Sequence, residues 1–81
     1  MTDMDNLEKY DAAFIEAFGD VGGNLSALTY QSIPQWDSIG HMQLIAALEA
    51  AFDIMMDTED ILDLSSYEKG KEILKKYGVE I

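Results

Sequence analysis

The segment 38–53 constrains the fold of this chain more than any other stretch. Its apolar residues recur at helical spacing and form one face, made of Leu44, Ala47, Leu48, Ala51 and Phe52. Pro34 lies just upstream and disfavours helical dihedrals at Ile33, so we expect the helix to begin after it. Asp37 or Ser38 can then cap the free backbone amides of the first turn. The sequence therefore predicts a capped amphipathic helix that opens at Ser38.

The opposite face of this helix carries two apolar residues near its start. Ile39 and Met42 lie close to Ser38 and Ala46 on that face, and we expect both apolar side chains to be exposed. Isolated exposed apolar residues are common, but two of them beside a serine at a helix start indicate a docking surface.

Three further segments have helical periodicity. Residues 3–18 place Leu7, Tyr10, Phe14 and Phe18 on one stripe, with Ile15 beside it, and Thr2, Asp3 or Asp5 can cap that helix before Gly19 ends it. A short third helix is expected at 58–62, capped by Thr58 or Asp57, with Ile61, Leu62 and Leu64 as apolar anchors. A fourth is expected at 66–77, where Ser65 and Glu68 match a capping box.

The connection over residues 19–36 is long and rich in turn-forming residues, and we expect it to have no regular structure. Leu25, Leu28, Tyr30 and Ile33 are expected to hold it against the helices. Trp36, its largest residue, is expected to pack on the bundle, with a wall beside a functional group as the alternative. The predicted architecture is a single all-α domain over 1–81, a small four-helix bundle with a short third helix.

The formal net charge of -11 narrows the classes of partner. Such a field repels nucleic acid and anionic membranes and favours basic partners or divalent cations. No apolar run approaches the roughly 20 residues of a membrane span, and the acidic N-terminus differs from a signal peptide. We therefore expect a cytoplasmic protein, and nothing in the sequence suggests more than a monomer. The absence of cysteine means that any thioester must use a thiol from an attached group.

The segment that begins at Asp37-Ser38-Ile39 resembles the Asp-Ser-Leu motif and second helix of acyl carrier proteins. The resemblance continues through Met42, Leu44-Ile45, Ala47-Leu48-Glu49 and Phe52, and the acidic composition, the length and the long first connection extend it over nearly the whole chain. It implies that Ser38 is the attachment site of 4'-phosphopantetheine, transferred from coenzyme A by a phosphopantetheinyl transferase. The thiol of that arm would carry an acyl group as a thioester, and the protein itself would be non-catalytic.

The same resemblance implies partner contacts for acyl-transferring or acyl-activating enzymes at Asp37, Ile39, Met42, Ala46 and Glu49. It also implies shelter for the acyl chain inside the bundle, with Leu44, Leu48, Met56, Ile61 and Leu64 as candidate lining residues or as ordinary core.

The sequence departs from the fatty-acid-synthesis members of this family, which have acids where this chain has Gly40, Gln43, Ala50 and Ala51. Fewer acids reduce electrostatic steering to basic partner surfaces. The departure favours a carrier of a specialised pathway, such as surface polysaccharide acylation, polyketide assembly or a peptide-synthetase-like route.

Four other functions fit parts of the sequence. An aminoacyl or peptidyl cargo and an unmodified acidic adaptor are the alternatives to an acyl carrier. Ser38 and His41 have the spacing of a nucleophile and base on one helix face, but a hydrolase also needs an oxyanion site and a sizeable pocket.

A calcium loop is the fourth. Its positions 1, 3, 7, 9 and 12 would be Asp57, Glu59, Asp63, Ser65 and Glu68. Position 6 would be Leu62 instead of the required glycine, which favours a core helix over a calcium site.

Overall fold

The structure, a computed structural model, describes residues 5–21 and 24–81. Within these residues the chain forms α1 (Asn6–Phe18), α2 (Ser38–Phe52), α3 (Thr58–Asp63) and α4 (Tyr67–Lys75). A short 3-10 turn, Leu25–Ala27, interrupts the first connection, and the described part contains no β-strand. The four helices assemble into a small bundle, so the predicted all-α class is confirmed. None of these helices is long and apolar enough to cross a membrane.

The first helix begins at Asn6, three residues later than predicted. Asp5 has an extended backbone, and its carboxylate accepts the amide of Glu8 at 2.8 Å, which makes it the cap. Thr2 and Asp3, the other predicted caps, lie outside the described residues. Gly19 ends the helix as predicted and donates its amide to the carbonyl of Ile15 at 2.7 Å.

The apolar stripe of α1 is narrower than predicted. Tyr10, Phe14 and Phe18 are buried, whereas Leu7 and Ile15 are 43% and 51% exposed. Ile15 follows Phe14 by one residue and so points about 100° away from it around the helix. The core face of α1 is therefore an aromatic row.

The second helix begins at Ser38, the predicted first residue, and ends at Phe52, because Asp53 has left-handed dihedrals. Its core face is rotated from the predicted one. Ile45 is buried with Leu44 and Leu48, whereas Ala47, Ala51 and Phe52 are only half-buried.

The first connection is more ordered than predicted. Thr29 and Ser66 form an antiparallel bridge, in which the amide of Tyr30 donates to the carbonyl of Ser65 at 2.8 Å and the amide of Tyr67 donates to Leu28 at 2.9 Å. This pairing joins the connection to the start of α4. Leu28 is buried, but Tyr30 is 38% exposed instead of anchoring the loop in the core.

In the second half of the chain, Asp57 stands at the N-cap of α3 as one of its two predicted caps, whereas the predicted cap of α4 and one predicted anchor are wrong. Asp57 occupies the N-cap position of α3 without a side-chain capping bond, and Thr58 is already helical. Ser66, not Ser65, caps α4, accepting the amide of Lys69 at 2.9 Å, because Ser66 keeps the extended backbone of its bridge. Leu62 is 76% exposed, so it does not anchor α3.

The ends of these two helices also differ slightly from the prediction. α3 continues to Asp63, one residue further than expected. α4 ends at Lys75, and residues 76–78 form a turn with i to i−3 hydrogen bonds.

Aromatic rings from three parts of the chain form the centre of the core. Trp36 is fully buried, which confirms the expectation that it packs on the bundle, with its ring centroid 5.7 Å from Phe14 and 5.3 Å from Phe18. The ring centroid of Tyr67 in α4 lies 5.2 Å from that of Phe14. Burial of each such ring contributes roughly 2–3 kcal/mol, so this cluster fixes the connection before α2 against α1.

Candidate functional site

The start of α2 presents Ser38 to solvent. Asp37 precedes it with an extended backbone, and its carboxylate accepts the amide of Gly40 at 2.8 Å, so Asp37 is the cap and Ser38 is the first helical residue. The Asp37 carbonyl accepts the amide of His41 at 2.7 Å and starts the helical ladder. Ser38 is exposed. Its side chain is therefore free of the capping role that the sequence left open between the two residues.

The chain before Ser38 is held by its own backbone. The amide of Gln31 donates to the carbonyl of Trp36 at 3.0 Å, and the amide of Trp36 donates to Ile33 at 3.1 Å. These bonds close a loop around Pro34 and direct the chain into α2.

Gly40 lets this loop approach the helix closely. A Cβ at position 40 would lie 1.9 Å from the carbonyl oxygen of Gln35 and 3.3 Å from Cε1 of Phe18. No side chain fits there, which explains physically why this chain has glycine where the resemblance leads one to expect an acid.

An apolar cleft of about 340 Å³ opens beside Ser38. Helix α2 contributes Ser38, His41 and Met42 to its lining. Ile61 and Leu62 of α3 and the following Leu64 also line it, as do Tyr30 and Ser65, which the Thr29–Ser66 bridge brings together. None of these lining side chains is an acid, a lysine or an arginine, so the cleft suits an uncharged group.

The lining differs from the set of sheltering residues that the resemblance implied. Ile61 and Leu64 line the cleft, but Leu44 and Leu48 are completely buried in the core and Met56 is buried with them. Sequence reasoning missed Tyr30, Leu62 and Ser65. The only signal for them in the sequence is the apolar character of Leu62, because their place in the cleft depends on pairing between distant segments.

His41 makes two side-chain hydrogen bonds in this region. Nε1 of Trp36 donates to Nδ1 of His41 at 2.9 Å, and Nε2 of His41 lies 2.7 Å from the carbonyl oxygen of Ile61. Both ring nitrogens are engaged by groups other than Ser38. The arrangement does not provide the free base that a Ser38–His41 nucleophile pair requires.

The predicted partner face is largely exposed. Ile39 and Met42 are 71% and 53% exposed, and Asp37 and Ala46 are also exposed. Glu49 is half-buried, and its carboxylate accepts the amide of Met56 at 2.9 Å. Glu49 thus holds the connection between α2 and α3, a local task that the sequence did not indicate.

Asp60 fastens α3 to the end of the chain. Its buried carboxylate accepts hydrogen bonds from Nζ of Lys76 and from the hydroxyl of Tyr77, each at 2.5 Å. The hydrogen bond from Lys76, which has the larger effect, and the one from Tyr77 both lower the pKa of Asp60 below its ordinary value. The Tyr77 hydroxyl in turn accepts the amide of Asp57 at 2.9 Å, so the cluster fixes the beginning of α3.

The residues considered for a calcium-binding loop do not form such a loop. Residues Thr58–Asp63 form α3, which places Ile61 and Leu62 in a helix. In the described ranges 5–21 and 24–81, no group of three or more His, Asp or Glu side chains could hold a metal ion.

A search of protein-family models, of curated proteins and of solved structures finds no match to this chain.

Proposed function

We propose that this chain is an acyl carrier protein, with Ser38 as the attachment site of 4'-phosphopantetheine. A phosphopantetheinyl transferase would join the Ser38 oxygen to the phosphopantetheine phosphate of coenzyme A, and the adenosine bisphosphate half would leave as the serine proton is removed. The terminal thiol of the arm would then carry an acyl group as a thioester. The chain's own task would be to present that group to acyl-transferring or acyl-activating enzymes, in the cytoplasm where coenzyme A is supplied.

The position of Ser38 at the rim of the apolar cleft is the observation that carries this proposal. The hydroxyl is exposed at the first residue of a 15-residue helix. Amides in the first turn of a helix have no intrahelical acceptor. The carboxylate of Asp37 accepts the amide of Gly40, which is one of them. The amides that remain and the helix dipole favour a phosphodiester at this point.

The surface around Ser38 supports contact with partner enzymes. Ile39, Met42 and Leu62 are large apolar side chains exposed beside the cleft. Asp37 and Ala46 extend this surface along α2, and Glu49 adds to it through the part of its side chain that remains accessible. We expect docking to depend more on apolar contact than on charge, since Asp53 and Glu49 are the only acids between Ser38 and Ile54. This surface fits a carrier of a specialised pathway better than a fatty acid synthase carrier.

The lining of the cleft favours an acyl cargo over an aminoacyl cargo. Four of its eight lining residues, Met42, Ile61, Leu62 and Leu64, are aliphatic, and an ammonium group would find no carboxylate among the lining residues. An aminoacyl or peptidyl cargo is the second candidate, because a group at the end of a long arm does not have to enter the cleft.

The test is a measurement of intact mass after incubation with coenzyme A and a broad-specificity phosphopantetheinyl transferase. We expect wild type to gain one phosphopantetheine and Ser38→Ala to gain none. Ser65→Ala is the matched control, because Ser65 also lines the cleft, and it should gain the arm like wild type.

Absence of the gain from folded, initially unmodified wild type would overturn the carrier proposal and leave the acidic adaptor as the better function. A gain that persists in Ser38→Ala would assign the attachment to another residue.

A further inference from the structure

The two hydrogen bonds of the His41 side chain define which of its ring nitrogens carries the proton. The indole Nε1 of Trp36 is a donor only, so Nδ1 of His41 must accept and carries no proton. The carbonyl oxygen of Ile61 is an acceptor only, so Nε2 must donate. The neutral imidazole protonated on Nε2 is the one form that satisfies both bonds.

The bond from Nε2 completes the last turn of α3. The final four carbonyl groups of a helix have no intrahelical donor, and that of Ile61 is one of them in Thr58–Asp63. The backbone carbonyl of Asp60, one residue earlier, accepts a hydrogen bond from the amide of Leu64 at 3.1 Å. His41 therefore acts as a C-terminal cap supplied from 20 residues away.

Helix α3 needs such support. It has six residues and begins without a side-chain capping bond at Asp57. Isolated helices of this length are unstable in water, so contacts with the rest of the protein keep it folded. The Asp60 cluster holds its first half to Lys76 and Tyr77 in the turn that follows α4, and His41 holds its second half to α2.

The imidazole itself is held in place by two rings. The Trp36 ring lies beside it and nearly coplanar with it, with an interplanar angle of 16° and a centroid distance of 6.2 Å, as the 2.9 Å hydrogen bond between the two rings requires. The Tyr30 ring meets it edge-on at 5.5 Å. Trp36 is completely buried among the core aromatic rings, so its hydrogen bond ties the imidazole to the core.

We propose that His41 is the positioning residue of the candidate site, tying Trp36 to the carbonyl of Ile61 and so fixing the α3 wall of the cleft beside Ser38. His41 would not take part in the transfer to Ser38. It would set the distance between the start of α2, which carries the arm, and the α3 surface that a partner enzyme contacts. The effect on arm transfer rests on the proposed function, whereas the bonding pattern and the hold on α3 do not.

The first test uses wild type alone. Nitrogen-15 spectra of the imidazole should show Nε2 protonated and Nδ1 as an unprotonated acceptor, coupled to the Trp36 indole N–H. Observation of the opposite tautomer, or of rapid exchange between the two, would overturn the assignment without any variant having to fold.

The second test measures amide hydrogen exchange in Ile61–Leu64. His41→Leu removes both bonds, and we expect exchange there to become about tenfold faster, because each net hydrogen bond shifts an opening equilibrium severalfold. His41→Gln keeps one acceptor and one donor and should stay within about threefold of wild type. Gln43→Leu, an exposed neighbour on α2, is the control and should leave exchange unchanged. Equal exchange in His41→Leu and Gln43→Leu would refute the hold on α3.

The third test measures arm transfer at a temperature where every variant is folded. We expect His41→Leu to raise KM about fivefold with kcat within about twofold, and His41→Gln to restore KM, because the docking surface moves while the Asp37 cap still presents Ser38. A loss confined to kcat would contradict the positioning role. If wild type accepts no arm at all, the proposed function fails, and the first two tests still decide the role of His41 in the fold.

Discussion

Gly70 of α4 leaves the space that the hydroxyl of Tyr10 of α1 occupies. A Cβ at position 70 would lie 2.1 Å from the Tyr10 oxygen, which donates a hydrogen bond of 2.6 Å to the carbonyl of Tyr67. Tyr10 is completely buried, and burial raises the pKa of its hydroxyl. The two residues together set how closely α1 and α4 approach.

This relationship predicts that Gly70→Ala destabilises the protein, although alanine is the better helix former. We expect a loss of about 1–3 kcal/mol in the free energy of unfolding, because the added methyl must displace a buried hydroxyl. Denaturant unfolding of Gly70→Ala, Tyr10→Phe and the double variant measures the coupling. The double variant should recover part of the loss, and strictly additive effects would contradict the contact.

Gly40→Ala should be destabilising for a different reason. The added Cβ would meet the backbone carbonyl of Gln35 at 1.9 Å, and a backbone group cannot turn aside as a side chain can. We expect a loss of about 1–3 kcal/mol in unfolding free energy and slower arm transfer to Ser38, because the start of α2 must shift. Gln43→Ala, exposed on the same helix, should change stability by no more than about 0.5 kcal/mol. A Gly40→Ala protein as stable as wild type would show that the loop before α2 yields easily.

The capping and recruiting roles of Asp37 can be separated by two substitutions. Asp37→Ala removes the acceptor for the Gly40 amide and should cost about 1 kcal/mol of stability. Asp37→Asn keeps an acceptor and removes the charge, so its stability should stay within a few tenths of a kcal/mol of wild type. If the carboxylate helps to recruit the transferase, Asp37→Asn should still lower kcat/KM for arm transfer. Equal destabilisation by both substitutions would assign the main effect to charge at the helix start.

The lowered pKa of Asp60 predicts that the free energy of unfolding decreases at low pH. Its pKa is held below the ordinary value of 3.8, so the stabilisation is present above pH 3.8 and is lost as the pH falls through the lowered value. Asp60→Asn should therefore be less stable than wild type at pH 7, and the difference should shrink as the pH falls below 3.8. Urea unfolding at a series of pH values measures it.

Asp63→Asn is the control for this series, because it makes the same change of charge at an exposed position of the same helix. A difference between Asp60→Asn and wild type that stays constant down to low pH would exclude proton linkage at Asp60.

Most helices of this protein could be predicted from the sequence, because their signals are local. The spacing of apolar residues identified four helical segments, and the start of α2 was placed at Ser38 by Pro34 and Asp37. The predictions that are wrong concern the ends of the helices and the residues at the borders of their buried faces. The capping box formed with Glu68 predicts Ser65 as the cap of α4, but the bridge of Ser66 with Thr29 makes Ser66 the cap.

The sequence by itself determined that α2 begins shortly after Pro34 with Ser38 at its start, because proline and capping residues are local signals. It offered two caps for α2 and two roles for Trp36, and the structure decided for Asp37 as the cap and for a buried Trp36. Only the tertiary structure decided that a cleft lies beside Ser38, that His41 bonds Trp36 and Ile61, and that the carboxylate of Asp60 is buried. His41 reaches 20 residues along the chain to Ile61, and Asp60 reaches 16 and 17 residues to Lys76 and Tyr77. The hydrogen bonds that satisfy these polar groups form only when the helices have packed, so no pattern of neighbouring residues can contain them.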